Sequence, residues 1–226
     1  MKILAIDTAT ERCSVALRID GEVLTRSVGT ARGHADSVLP MIDEILGEAR
    51  LTLSALDGIA YGRGPGAFTG VRIAAGVVQG LAFGARLLTV GISDLAAVAQ
   101  QVAGRGDRVL VCMDARMGEV YWATFECDPR SGLVVASRPE QVGRPETVDA
   151  GPNALSRLAG TGFRAYPELV ASYRTHDSLM LNDDVLPRAV EIALLGEAEF
   201  AAGHGRPAAE AQPVYVRDQV AVAKRP

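Results

Sequence analysis

The chain has 226 residues, 48% of them hydrophobic, enough for one large core or two small ones sharing a cleft. Its 23 Lys and Arg against 27 Asp and Glu leave a formal charge of −4, which excludes a protein that holds nucleic acid through its own basic surface. Three cysteines, Cys13, Cys112 and Cys127, are odd in number and form no C-x-x-C pair, so no disulfide framework is expected and a cytoplasmic, reducing setting is.

The chain opens with KILAID at 2 to 7, a strand pattern without the long apolar run of a signal peptide. Val15, Leu17 and Ile19 then alternate with Ser14, Ala16 and Arg18, and Asp20-Gly21 signals a two-residue hairpin before Glu22 to Val28. Three antiparallel strands are therefore expected first. The spacing of Val38, Leu39, Ile42, Ile45, Leu46 and Ala49 predicts a helix over 36–50, with Asp36 as its N-cap and Pro40 near the first turn. Ile59 to Tyr61 reads as a strand, Gly70 to Gly84 as a helix, Leu87 to Val90 as a strand, and Ser93 as the cap of a helix reaching about Ala103. The apolar run Ile73 to Ala85 is interrupted by Gln79 and is too short to cross a bilayer. GRGD at 104 to 107 reads as a linker.

Between Tyr61 and Arg72 the chain reads YGRGPGAFTGVR. A glycine-rich turn that opens a helix can hold an anion on its free N–H groups. The phosphate-loop pattern G-x-x-x-x-G-K-[ST] is not met, however: Thr69 stands five residues after Gly64, and Gly70 is followed by Val71 and Arg72 with no lysine. A tight structural turn is the better reading. In the helix that follows, Gly76, Gly80 and Gly84 recur every four residues, with Ile73, Val77 and Leu81 alongside. Each glycine costs a helix up to about 1 kcal/mol relative to alanine, so three in register point to close packing.

After the linker the pattern restarts. Leu110-Val-Cys-Met-Asp114 repeats the form of Ile3-Leu-Ala-Ile-Asp7 at an offset of 107 residues, and each Asp is followed by a turn and an alternating strand, CSVAL at 13 to 17 and VYWAT at 120 to 124. A second hairpin turn follows at Asp128 to Gly132. One Asp after an apolar strand is explained by turn preference alone; two in register indicate internal duplication.

A duplicated strand-strand-strand-helix module with an Asp in each first hairpin resembles the actin-like ATPase fold, also called ASKHA or RNase H-like. That resemblance implies an α/β chain of two domains, each a mixed sheet with flanking helices, here 1–104 as the N-terminal, partner-binding part and 105–226 as a reduced C-terminal part. The match narrows with ILAIDTAT at 3 to 10, HADSVLPMIDEIL at 34 to 46, GRGPGAFTGVRIAAGVVQGLAFG at 62 to 84 and DARMGEVYWATF at 114 to 125, which together resemble the TsaB (YeaZ) family, with PVYVR at 213 to 217 as a last point of likeness.

The resemblance implies a non-catalytic scaffold that holds TsaD, its metal-bearing paralogue, in active form. That complex places threonylcarbamoyl on the adenosine beside the anticodon of tRNAs reading codons that begin with A. TsaE, a separate ATPase, is the implied further partner, tRNA is reached mainly through TsaD, and a homodimer is expected when TsaD is absent. The histidine ligands of TsaD fall at Asp94 and Val98 of this chain, so neither metal nor other cofactor is expected, a nucleotide at the partner junction apart. His34, His176 and His204 are expected to be surface or capping residues. Asp7, Thr8 and Asp114 remain as candidates for a vestigial phosphate site, eroded by the bulk of Arg116 and Met117. The candidate partner interface is Val38, Leu39, Ile42, Ile45 and Leu46 on the first helix and Ile73, Gly76, Val77 and Gly80 on the second. Two other classes stay open. A small-metabolite kinase of the same fold would use Asp7 and Asp114 for magnesium and Gly151-Pro-Asn153 for adenosine; a glycoprotease-type peptidase would need H-x-x-x-H or H-E-x-x-H, and neither occurs.

Overall fold

The computed structural model describes residues 1–29, 33–173 and 179–217. Strands β1 (Lys2–Asp7), β2 (Arg12–Ile19) and β3 (Glu22–Gly29) form the expected antiparallel trio, joined at Asp20 and Gly21, whose φ values of 48° and 98° are those of a two-residue hairpin turn that twists with its strands. Helix α1 (His34–Ala49), strand β4 (Gly58–Gly62), helix α2 (Phe68–Ala85), strand β5 (Thr89–Ile92) and helix α3 (Asp94–Val102) follow. The first sheet has the order β3-β2-β1-β4-β5, with β4 and β5 parallel to β1.

Strands β6 (Arg108–Arg116), β7 (Glu119–Cys127) and β8 (Val134–Ala136) repeat the antiparallel trio, β9 (Gln141–Gly143) adds a second short partner to β7, and β10 (Arg157–Ala159) and β11 (Met180–Asn182) run parallel to β6. The second sheet is therefore ordered β8-β7-β6-β10-β11, strand for strand the arrangement of the first. Asp7 ends β1, and Asp114 lies two residues before the end of β6, where the pairing with β7 shifts register. Short helices α4 (Gly162–Ala165) and α5 (Pro167–Tyr173) lie against the outer face of this sheet, and α6 (Ala189–Ala201) ends the regular structure.

Burial alternates along the strands and sorts the helices. Leu4 and Ile6 face α1 and α2, whereas Ile3 and Ala5 face α3 and α6. The same core continues through Leu95, Val98 and Ile192 to Val109, Val111 and Phe125 of the second sheet, so α3 and α6 are sandwiched between the sheets. The expected boundary at 104/105 falls between the two sheets, but the chain does not stay divided there. Helix α6 packs on β1, β2, β4 and β5, Arg206 pairs with Thr89, and the Val214 amide donates to the Arg63 carbonyl at 2.7 Å.

Local differences from the sequence pattern have simple causes. Gly33, at φ 95°, rather than Asp36, precedes α1, because the Asp36 amide already donates to the Gly33 carbonyl inside the first turn. Strand β5 begins two residues later than expected since the Leu87 amide closes the end of α2 on Ala82. Ser93 caps α3 as expected, its Oγ accepting from the Ala96 amide at 3.1 Å. Helix α2 is longer than its apolar run: at 18 residues and mean hydropathy 1.3 it reaches the length and composition of a bilayer span, yet Val71, Ala74, Ala75, Val78 and Ala82 are buried against the sheet.

Candidate functional site

A cleft of about 890 Å³ opens between the two halves, with Thr10, Glu11, His34 and the start of α2 on one side and Asp114, Arg116, Tyr121 and Arg164 on the other. The glycine-rich turn places α2 at its edge through close backbone approach. Thr8 Oγ1 donates to the Gly70 carbonyl at 2.7 Å, the Ala67 amide donates to the Ala9 carbonyl at 2.7 Å, and a methyl on Gly70 would collide with the Thr8 carbonyl oxygen. Phe68 and Tyr215 stand at the mouth with ring centres 6.2 Å apart, and the Arg72 guanidinium lies over both. Two of the cleft arginines are already paired. Arg116 meets Asp114 at 3.1 Å, and Arg217 binds Glu119 and donates to the Ala115 carbonyl.

Of the residues expected at a vestigial phosphate site, one lines the cleft. Asp114 lines the cleft, but Asp7 and Thr8 are fully buried behind it. Asp7 Oδ1 accepts from the Ala9 amide at 2.8 Å, and burial raises the Asp7 carboxyl to about 6. Arg116 and Met117, expected to obstruct the second loop, form the β6–β7 turn with positive φ, and Met117 projects into solvent. Gly151 to Asn153 lie away from the cleft, where Arg108 donates to the Asn153 carbonyl at 2.6 Å. His34 is buried, with Nε2 2.8 Å from the Thr10 carbonyl, His204 pairs with Glu199 at 2.6 Å, and His176 lies outside the described residues.

The helix residues assigned to a partner interface divide sharply. Val38, Ile42, Ile45 and Leu46 are buried where α1 packs on β2 and β3, which corrects their assignment: the apolar stripe of α1 is spent on the chain's own sheet. Leu39, 47% exposed, points outward. On α2 the expectation fares differently. Gly76, Gly80 and Gly84 are exposed, a methyl on any of them would meet nothing within 4 Å, and Ile73 and Val77 flank them half-buried. Phe83, 82% exposed on the same helix, was not singled out by periodicity because a lone aromatic beside glycines carries no pattern.

Among the described residues no group of three or more His, Cys, Asp or Glu is placed to hold a metal ion. The family model for TsaD, tRNA N6-adenosine threonylcarbamoyltransferase, matches residues 28–175. The chain is 42% identical to the tRNA threonylcarbamoyladenosine biosynthesis protein TsaB of Escherichia coli, over 100% of this chain and 99% of that protein. The chain belongs to the TsaB (YeaZ) family. The TsaB of Haemophilus influenzae is 40% identical over 100% of this chain and 98% of its own length. The solved structure of YeaZ from Pseudomonas aeruginosa superposes with a TM-score of 0.85 at 41% identity, covering 95% of this chain and 99% of that one. With two matched mixed sheets and flanking helices, this member of the TsaB family has the actin-like, RNase H-like fold.

Asp94 and Val98, where metal-binding histidines were expected to be replaced, are both buried in this TsaB-family chain. Val98 is in the shared core, and Asp94 Oδ2 accepts from the Gly64 amide at 2.6 Å. Asp94 and the Arg63–Glu140 ion pair, which joins the glycine-rich turn to the second half, escaped the sequence because their partners are distant in the chain. Aspartate at a helix start reads only as a favourable dipole contact.

Proposed function

We propose that this TsaB-family chain serves tRNA threonylcarbamoyladenosine biosynthesis as a non-catalytic subunit that holds a TsaD-like transferase in its active form. The observation that carries the reading is the bare glycine face of α2, with the exposed Phe83 on the same helix as an apolar anchor and Leu39 exposed on α1, in a chain so similar to E. coli TsaB. A helix that forgoes three side chains lets a second backbone approach closely, and a stable interface needs roughly 800 Å² per partner, within reach of two helices. The burial of Asp7 and Thr8 supports the absence of phosphate chemistry in the chain. A TsaE-like ATPase joins the complex, tRNA is engaged mainly through TsaD, and a second copy of the chain takes the same face when TsaD is missing.

Reconstitution tests the reading. A TsaD-like protein is assayed for tRNA modification with and without this chain, and the chain alone for ATP turnover. Modification that requires the chain, together with no turnover by the chain alone, is the expected result. Robust phosphotransfer by the isolated chain would favour the kinase reading, and undiminished modification without it would remove the scaffold role.

A further inference from the structure

At the end of β1 and the first turn of α3, Asp7 and Asp94 meet with 0% exposure each. Each carboxyl gives one oxygen to a backbone amide, Asp7 Oδ1 to Ala9 and Asp94 Oδ2 to Gly64. The remaining oxygens, Asp7 Oδ2 and Asp94 Oδ1, are buried and find no other donor among the described residues. The two carboxyls crowd the same space beside Gly62. Gly62 makes that approach possible, since a methyl there would strike Asp94 Oδ1 and come within 2.9 Å of Asp7 Oδ1. Two carboxyl groups in contact away from water cannot both ionise, and a hydrogen bond between them requires that one carry a proton.

We propose that Asp7 and Asp94 share one proton and act as a single tie that fixes the turn from Gly62 to Gly66, and with it the start of α2, to the end of the first sheet. Gly64 is bound to Asp94 twice, because the Asp94 amide also donates to the Gly64 carbonyl at 3.1 Å. From there the Ala67 and Gly70 contacts set the first turn of α2, the helix that carries the bare glycine face. The neighbours do not replace the proton. Arg63 acts on Asp94 but is forked onto Glu140; Arg12 and His34 act on Asp7 from β2 and α1; Cys13, also on β2, is a thiol that burial and Asp7 push up to about 11. From α6, whose first amide binds Ser14 beside Asp7, Glu191 is paired with Arg188. Burial raises both carboxyls of the pair, and the Asp7 charge raises Asp94 further. Raised carboxyls bind their proton more tightly in the folded chain, so the stability they confer is full below the ordinary value of 3.8 and is lost as pH rises through about 6 and beyond.

The test uses the full isolated chain and stands apart from any partner. Melting temperatures of the wild type, Asp94→Asn, Asp7→Asn and Asp94→Ala are compared from about pH 5 to about pH 8, with amide exchange at residues 64–70 and infrared spectra of the carboxyl region. In Asp94→Asn the new side-chain amide supplies the bridging hydrogen permanently while its oxygen keeps the Gly64 bond. The expected result is that the wild type loses roughly 5 °C relative to Asp94→Asn over this window, and that protection at 64–70, taken relative to the intrinsic exchange rate at each pH, falls with pH only in the wild type. Asp94→Ala loses protection at every pH, and Asp94→Asn restores it. A protonated-acid band in the wild type near pH 6 shifts in frequency in either asparagine variant, because the carboxyl that remains has an amide and not an acid as its partner. A wild type with no such band there, or an asparagine variant that keeps the wild-type pH slope, would overturn the proposal; the band on the wild type decides alone if the variants do not fold.

Discussion

Arg63 donates to both carboxylate oxygens of Glu140 at 3.1 Å each, and this fork fastens the glycine-rich turn of the first half to the residue just before β9 in the second. Both side chains are largely covered, so the pair is little screened by solvent. Glu140→Gln keeps the shape and one acceptor but loses the fork. A destabilisation of about 1–2 kcal/mol is expected, read as a lower thermal midpoint. Salt should narrow the difference only slightly, and a large salt effect would mean that the pair is solvated.

Gly76→Ala and Gly80→Ala should act in opposite directions on stability and on assembly. With open space at both positions, each alanine is expected to stabilise the isolated chain by up to about 1 kcal/mol through helix propensity. The added methyl would at the same time push away a backbone packed on that face. Calorimetry on the isolated chain and a pull-down with a TsaD-like protein measure the two effects; raised stability with undiminished capture would move the interface off α2.

Gly70→Ala belongs to the other kind of glycine. Its methyl meets the Thr8 carbonyl oxygen, part of the backbone and unable to swing aside. The variant should lose about 1–3 kcal/mol of stability as an overpacked site does, visible as a lower denaturation midpoint in urea. A midpoint equal to that of Gly76→Ala would contradict the close approach described for the start of α2.

Ile45→Ala is expected to cost about 2–5 kcal/mol in urea denaturation because Ile45 is 0% exposed between α1 and the first sheet. Ile45→Glu should fail to fold rather than report on assembly. The informative charge substitution on α1 is Leu39→Glu, which should leave the circular dichroism spectrum intact while weakening capture of a TsaD-like protein in size-exclusion chromatography.

How much of this could be read from the sequence depends on range. The Asp20-Gly21 turn and the Ser93 cap are signalled by neighbouring residues, the repeat of Asp7 at Asp114 by two like segments, and all three are present. The apolar stripe of α1 was equally legible, but periodicity gives a stripe and not what covers it. Val38, Ile42, Ile45 and Leu46 fit a partner or a sheet alike. Glycines are more telling, since Gly76, Gly80 and Gly84 leave a bare strip on whichever side they fall. The Asp7–Asp94 contact depends on the parallel pairing of β1 with β4 and on the space at Gly62, neither of which has a local signature.

The isolated chain is expected to bind no stoichiometric transition metal. Val98 offers no ligand atom, and both Asp94 oxygens are buried, one of them bonded to the Gly64 amide. Elemental analysis after dialysis checks this, and one tightly held iron or zinc per chain would be the contrary outcome.

The packing of α6 on the first sheet also bears on the order in which the protein can be made. Ile3, Ala5, Ala16 and Ala60 reach their final cover only when residues 189–201 have left the ribosome, about 100 residues after the last strand of that sheet. At about 5–20 residues per second, a nascent chain holds an uncovered apolar sheet for roughly 5–20 s, long enough for chaperones to be its first partners.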